Sequence, residues 1–464
     1  MSRAFALYGA CPSWMQTLMI SAYGARLQWR RYGPAQRALL QELRDSQWFD
    51  AARIRAVQLA KLQVTVEHAY ANVPHYRSRI GGTPRISTLD DLQMIPVLTK
   101  DAVKSAGRAL LSDRHHAGVL EIHTGGTTGK PITVFCDRAT LQRNYAFFAR
   151  LREWAGIQPT ARVATFAGRR VVPSQSNGPY WRHNLAARTL VFSSYHISPS
   201  TVDEYIEALA RFRPGLIDSY PSSLAPLAAR MLERGSTAVR PRAIITSSET
   251  LVPDARAELE AAFGCPVFDH YGSAEMTAFI TMCGEGRYHT NPEFGIIELL
   301  RDGRPVAAGE TGEIVATGFI NPVMPLLRYA TGDSAVRGTT GCACGREFPV
   351  IDRIEGRIDD IIVTPEGRRI GRLDPIFKSV ASLYESRIVQ DRIDHVRVEA
   401  VVEGELSEQE QGVLLEELQA RLGPSMSIDF VRVPAIERTA GGKLQAVVNR
   451  VHRASADAAP APDV

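Results

Sequence analysis

The spacing of hydrophobic positions changes several times along the chain. After Pro34, residues 35–80 carry Leu, Ile, Val and Ala at helical intervals without a Gly-Pro break, which predicts helices. From Val119 short apolar runs alternate with amphipathic stretches. Strands are predicted at 119–123, 161–167, 215–220, 243–247 and 266–271, and helices at 138–154, 222–233 and 254–263. Thr201-Val-Asp-Glu204 has capping-box spacing and is read as a helix start. Such alternation predicts an α/β fold with layered, largely parallel sheets.

After Phe294 the texture shifts to strands at 295–300 and 312–317, with the turn Arg301-Asp-Gly-Arg304 behind the first, as in an antiparallel β subdomain. From Gly356 it shifts again. A hairpin at 361–370 leads into a helix, followed by a strand at 395–402. A further helix opens on the capping box Ser407/Glu410, shares Leu414, Leu418 and Leu422 on one face and stops at Gly423-Pro424, before a last strand at 428–433. The expected division is a helical segment (1–80) packed on a main domain (81–355, with the β subdomain at about 290–355), then a small mobile α+β lid domain (356–453) and a disordered Ala/Pro-rich tail (454–464).

Composition changes this picture little. A chain of 464 residues exceeds what one core supports, in keeping with several domains. A net charge of +4 argues against bulk nucleic-acid binding but suits an anionic small molecule. No run of about 18 apolar residues occurs. The mildly apolar start, Phe5 to Ile20, is broken by Pro12 and polar residues and is not read as a signal peptide; it is expected to pack on the main domain, with an amphipathic membrane-surface helix the alternative. Six scattered cysteines make no disulfide framework, so a reducing, cytoplasmic setting is expected. Association into oligomers is left open.

The candidate chemistry begins at Thr124-Gly-Gly-Thr-Thr-Gly-Lys-Pro131, directly after a predicted strand. Gly125, Gly126 and Gly129 let the backbone turn its N–H groups on an anion, and the threonine hydroxyls and the Lys130 ammonium add donors. The spacing is not that of the common P-loop, and Pro131 stands where that loop has a hydroxyl residue. Tyr271-Gly-Ser-Ala-Glu275, Arg328-Tyr-Ala-Thr-Gly-Asp333, Gly356-Arg-Ile-Asp-Asp360 and Arg438-Thr-Ala-Gly-Gly-Lys443 follow in that order. Together these motifs resemble those of the AMP-forming adenylating enzymes: acyl-CoA synthetases, luciferases and peptide-synthetase adenylation domains. Ser219-Tyr-Pro-Ser-Ser223, Thr246-Ser-Ser-Glu-Thr250, Met324-Pro-Leu-Leu-Arg-Tyr329 and Cys342-Ala-Cys-Gly-Arg346 narrow the resemblance to the phenylacetate–CoA ligase-like branch, CapK type.

That resemblance implies an ATP-dependent ligase that activates a carboxylic acid as an acyl-adenylate and passes the acyl group to CoA or an amine. It implies that Thr124, Thr127, Thr128 and Lys130 hold the β- and γ-phosphates, and that Glu275 ligates Mg²⁺, a hard cation suited to carboxylate oxygen. Tyr271, with Gly272, would lie against adenine, Ser248 and Glu249 would line the same region, and Asp333 would accept the ribose hydroxyls. Arg357 would reach ribose or phosphate, Asp359 would be the hinge, and Lys443 would bridge the α-phosphate and the acid. Ala330, where the phenylacetate ligases carry Arg, and Gly125, where the loop usually has Ser, leave the acceptor open. Adenylyl transfer to a hydroxyl and nucleotide binding without catalysis are the alternatives; Lys443 and Glu275 argue against the second.

Cys283, His289, Cys342 and Cys344 offer three thiolates and an imidazole, a donor set for structural zinc. The alternative is small hydrophobic cysteines in a core. Zinc with a similar pattern in some members of the resembled branch favours the metal. His123, Arg169-Arg170, Trp181-Arg182-His183 and Tyr195-His196 fall between the nucleotide motifs and are candidates for the acyl side, with surface positions the alternative.

Overall fold

The structure, a computed structural model, describes residues 3–79, 82, 84–114, 118–123, 132–166, 171–173, 176–194, 196–198, 200–339, 341–357, 362–365, 369, 370, 373, 377, 382–402, 406–437, 445 and 447–451. The chain divides into two compact units. The first holds Met1–Thr331 and Ala335–Ile354, the second Gly332–Ser334 and Glu355 onward.

The first unit opens with helices α1 (Arg3–Ala10), α2 (Ser13–Arg31), α3 (Pro34–Ser46), α4 (Ala51–Asn72) and α5 (Pro74–Arg79). Pro34 sits at the first position of α3, where its missing N–H costs nothing. Asp50 caps α4 by accepting from the Arg53 N–H at 2.8 Å. After α6 (Lys100–Ala106), β1 (Leu120–His123) and β2 (Thr133–Cys136) form an antiparallel pair flanking the glycine-rich stretch.

Next come α7 (Arg138–Trp154), β3 (Val163–Phe166), β4 (Trp181–Asn184), β5 (Thr189–Phe192), α8 (Val202–Phe212), β6 (Leu216–Ser219), α9 (Pro221–Glu233), β7 (Ala243–Ser247), α10 (Pro253–Phe263) and β8 (Val267–Gly272). Strands β5, β3, β6, β7 and β8 are parallel neighbours in that order. One face packs Leu216, Ala243, Ile245 and Phe268 on Leu151 of α7. The other packs Ile217, Ile244 and Val267 on Tyr205 of α8, Leu227 of α9 and Phe263 of α10. The expected capping box at α8 does not form. The Thr201 hydroxyl is committed backwards, donating to the His196 carbonyl and accepting from the Ser198 N–H.

β9 (Phe279–Met282), β10 (Tyr288–Thr290), β11 (Gly295–Arg301), β12 (Arg304–Pro305), β13 (Thr311–Gly318), β14 (Tyr329–Arg337) and β15 (Val350–Arg357) follow. The strands expected as an antiparallel β subdomain do pair antiparallel, as β11 with β13, and they belong to the same sheet as the parallel strands. β9 pairs antiparallel with both β8 and β10, giving one 13-stranded mixed sheet. Within the same unit Arg150 of α7 is fully buried. Its guanidinium donates to Glu293 Oε1 at 2.9 Å, to Asn291 and to the Leu43 carbonyl, and Ser46 donates to Glu293 at 2.5 Å. Burial alone would raise the Glu293 carboxyl, but Arg150 and Ser46 hold it below its usual value.

The second unit contains the short pair β16 (Ile362–Val363) and β17 (Arg369–Ile370). A four-stranded sheet is built from β18 (Leu383–Arg392), β19 (His395–Val402), β20 (Ser427–Arg432) and β21 (Val447–Asn449), in the order β20-β19-β18-β21. Its core packs Ile388, Val396 and Val398 against Leu414, Leu418 and Leu422 of α11 (Glu408–Leu422). The Ser407/Glu410 capping box forms as expected. The helix expected after the 361–370 hairpin lies outside the described residues. β18 has no counterpart in the sequence reading, because Glu385, Ser386, Arg387 and Gln390 interrupt its apolar pattern.

Candidate active site

The described part of the site is built where β7 and β8 end. Their register sets Ser247 opposite His270, so Ser248 and Glu249 leave the sheet beside Tyr271 and Gly272. Tyr271 is half-buried and Gly272 exposed. Ser248 has φ +69°, a left-handed conformation costly for a side-chain-bearing residue. Glu249 next to it accepts at both oxygens from Ser222, the backbone N–H at 3.0 Å and the hydroxyl at 2.8 Å. A carboxylate there satisfies an N–H of the first turn of α9 and complements its dipole. Glu249 is thus tied to the Ser219–Ser223 motif.

Glu275 follows β8 and is buried at 8 % exposure. Tyr329, at 0 %, donates its phenol to Glu275 Oε1 at 2.8 Å and so joins two of the sequence motifs. Met276 and Arg328, the neighbours of this pair, also have positive φ, +57° and +47°. Arg328 is held from all sides. Its guanidinium donates to both oxygens of Glu298 at 2.9 Å and to the carbonyls of Gln93 and Ile95, and its backbone N–H donates to Thr317 Oγ1. Leu98 brackets it, donating to the Arg328 carbonyl and accepting from the Ala330 N–H. This fixing supports the left-handed turn and aims Tyr329 at Glu275. Asp333 stands half-buried on β14 after Gly332, whose φ of +75° favours glycine.

Thr124, Gly125, Gly126, Thr127, Thr128, Gly129, Lys130, Asp359 and Lys443 lie outside the described residues, as do Arg169, Arg170 and Tyr195. Arg357 is the last residue of β15, and His123 the last of β1. The other acyl-side candidates have different work. Arg182 is buried and donates to Gln16 and to the carbonyls of Pro179 and Trp181. Trp181 packs on Phe192 and Tyr205. The His196 ring bridges Ser193 Oγ and the Pro173 carbonyl while stacked on Tyr180. His183 is exposed, edge-on to Phe212.

The sequence reading missed two buried groups directly before Tyr271 in the chain. Asp269 accepts from Thr246 and Tyr288, each at 2.6 Å, and burial pushes its carboxyl up to about 6. His270 points to the opposite face of β8, between Phe148 and Phe279, with its Nδ1 unpartnered among the described residues. Burial depresses its pKa, which favours the neutral ring. The two-residue period of β8 sets them on opposite faces, but it does not tell which polar side chains find partners.

The four predicted metal ligands do converge. The Cys283, Cys342 and Cys344 sulfurs and a His289 nitrogen all lie within 4.8 Å of one another. Cys283 Sγ is 3.6 Å from Cys342 Sγ, and Cys344 Sγ is 3.5 Å from His289 Nε2. A tetrahedral zinc with ordinary bond lengths separates two sulfurs by roughly 3.8 Å and a sulfur from a nitrogen by roughly 3.5 Å. The donor set and spacing therefore fit zinc. His289 Nδ1 faces the Phe348 carbonyl at 3.3 Å, leaving Nε2 toward the sulfurs, and burial lowers its pKa to about 4, so the ring is neutral as a ligand must be.

A family model described as AMP-binding enzyme matches residues 77–322, and one described as the CapK C-terminal domain matches residues 362–450. Protein CapK of Staphylococcus aureus is 26 % identical over 463 residues, covering 96 % of this chain and 99 % of the relative. The phenylacetate–coenzyme A ligase of Escherichia coli (strain K12) is 27 % identical over 327 residues, covering 67 % of this chain and 72 % of the relative. The crystal structure of a 2-hydroxyisobutyryl-CoA ligase in its postadenylation state, in complex with R3-HIB-AMP, superposes with a TM-score of 0.68 at 21 % identity, covering 89 % of this chain and 93 % of that one. This last likeness establishes the fold. With more than half its length matched, the chain belongs to the AMP-binding enzyme family, as an AMP-forming ligase of the phenylacetate–CoA ligase-like, CapK type.

Proposed function

We propose that this ligase activates a small carboxylic acid with ATP and transfers the acyl group to the thiol of CoA. The observation that carries the reading is the Tyr329–Glu275 hydrogen bond, which joins the Tyr-Gly-x-x-Glu and Tyr-x-x-Gly-Asp elements in one buried pair. A carboxylate oxygen of the acid attacks the α-phosphorus, the bond to pyrophosphate breaks, and acyl-AMP forms. The thiol then attacks the acyl carbon and AMP leaves. Positioning and charge neutralisation do most of this work. Glu275, with one oxygen engaged by Tyr329, keeps the other for the Mg²⁺ that accompanies ATP.

By the family resemblance, Thr124 to Lys130 grip the departing pyrophosphate, Tyr271 and Ser248 border adenine, Asp333 and Arg357 serve the ribose, and Lys443 bridges acid and α-phosphate. Asp359 is the hinge on which Lys443 moves in and out. Glu249 supports its loop from behind. The Cys283–His289–Cys342–Cys344 site holds zinc; with four protein ligands and no open position, it is structural. CoA is preferred over an amine because the E. coli relative is named a phenylacetate–coenzyme A ligase.

A panel of carboxylic acids, scored for pyrophosphate release with CoA, hydroxylamine or simple amines as acceptors, tests the reading. Acid-dependent pyrophosphate release with acyl-CoA as product is expected. AMP appearing on a hydroxyl acceptor, with no hydroxamate from any acid, sinks it. Amide formation in place of thioester overturns the choice of acceptor alone.

A further inference from the structure

Helix α2 is mounted with its polar side inward. Gln16 is buried and accepts from Arg182 at 2.7 Å, and Ser21 donates to the His183 carbonyl and accepts from the Leu185 N–H. At Gly24 an added Cβ would come within 2.2 Å of the Asn184 side-chain amide, so a larger residue there would have to push aside a group that accepts from the Ala187 N–H. The apolar side is left facing solvent. Trp14 (61 % exposed), Leu18 (54 %) and Trp29 (62 %) fall along one line of the helix, and Met19 (41 %) and Tyr23 (57 %) along a second line about 100° round from it, so that together they make a broad outward stripe. From Trp14 to Trp29 the stripe runs about 22 Å. Leu185, exposed at the end of β4, stands beside it. A patch of this kind marks an interaction surface.

Charge says what covers it. Residues 1–41 contain five arginines, Arg3, Arg26, Arg30, Arg31 and Arg37, and no acidic residue. Arg26 and Arg30 lie along the C-terminal half of the helix. Arg138 adds a further cation, stacked 3.6 Å over the Trp29 ring. A second copy of this face would bring arginines together with no carboxylate from this segment to meet them. An anionic lipid surface meets both demands: acyl chains for the apolar stripe, phosphates for the arginines, and an interface in which Trp and Tyr rings are at home. Among the described residues no helix is long and apolar enough to cross a membrane, so the contact is with the surface.

We propose that α2 docks this enzyme on the surface of an anionic phospholipid bilayer, lying in the interface plane with Trp14, Leu18, Met19 and Tyr23 inserted. The polar contacts of Gln16 with Arg182 and of Ser21 with His183 and Leu185 then have a purpose: they fix the helix with its apolar side outward.

The test is co-sedimentation of the full chain with vesicles of phosphatidylcholine carrying about 30 % phosphatidylglycerol, against phosphatidylcholine alone. Binding to the anionic vesicles should be roughly tenfold stronger or more and should fall as salt rises. The variant Trp14→Ser/Leu18→Ser/Met19→Ser should lose the apolar part, and Arg26→Glu/Arg30→Glu the preference for anionic lipid. Each should retain acid-dependent pyrophosphate release in solution, which shows that the fold survives. Equal binding to both vesicle types, or none, overturns the proposal. So does a dimer in light scattering that the triple variant turns into monomer.

Discussion

The Tyr329 phenol donates to Glu275 Oε1 across 2.8 Å, and both side chains are buried. Among the described residues the bond leaves the second Glu275 oxygen without a hydrogen-bond partner. A hydrogen bond to a charged group contributes about 1.5–3 kcal/mol, and each 1.4 kcal/mol is about tenfold in rate. Tyr329→Phe should therefore lower acid-dependent pyrophosphate release by roughly ten- to a hundredfold while the chain stays folded. A rate within twofold of the parent would show that Glu275 does not depend on this contact.

Lys443→Ala separates the two half-reactions. Pyrophosphate release should fall by several orders of magnitude, while thioester formation from supplied acyl-AMP and CoA should persist. Full adenylation by the variant would remove Lys443 from its assigned role.

The fold was legible where pattern is strong. Helix α7 and strand β7 match their predicted bounds to the residue, and the other predicted elements of the parallel layer match to within two residues. It was not legible where tertiary partners decide. Thr201 has N-cap spacing, yet the turn at 196–198 claims its hydroxyl. The motif residues were identified from local sequence, but the reach of Tyr329 to Glu275 depends on a left-handed Arg328 gripped by Glu298, Gln93 and Ile95, residues distant in the chain. Asp269 and His270 went unread for the same reason: a strand interior looks alike whether or not its polar side chains find partners.

Asp269 gives a stability signature of its own. Its carboxyl is raised to about 6, from about 4 in an unfolded chain. The folded state thus holds this proton more tightly than the unfolded state does. The stabilisation is fully present below about pH 4 and is lost as pH rises through about 6. Between pH 5 and 7.5 this group should cost on the order of 1 kcal/mol. Denaturant unfolding at the two pH values should show that loss in the parent and not in Asp269→Asn. An equal pH dependence in both proteins would assign the effect elsewhere.

The zinc reading predicts about one Zn²⁺ per chain after purification without chelator. Strong chelation should release it and lower Tm by several degrees. Cys342→Ser and His289→Ala should each cut the metal content sharply. Metal-free protein with unchanged Tm would leave the four residues as ordinary packing groups.

Glu249, bonded twice to Ser222, answers to folding as well as to its proposed place beside the nucleotide. Selection for an intact α9 keeps that carboxylate even in a descendant that no longer splits ATP. In a decaying lineage the loop lysine and Lys443 would drift first and Glu249 last. The age of a lost activity could be read from which of these positions had already changed.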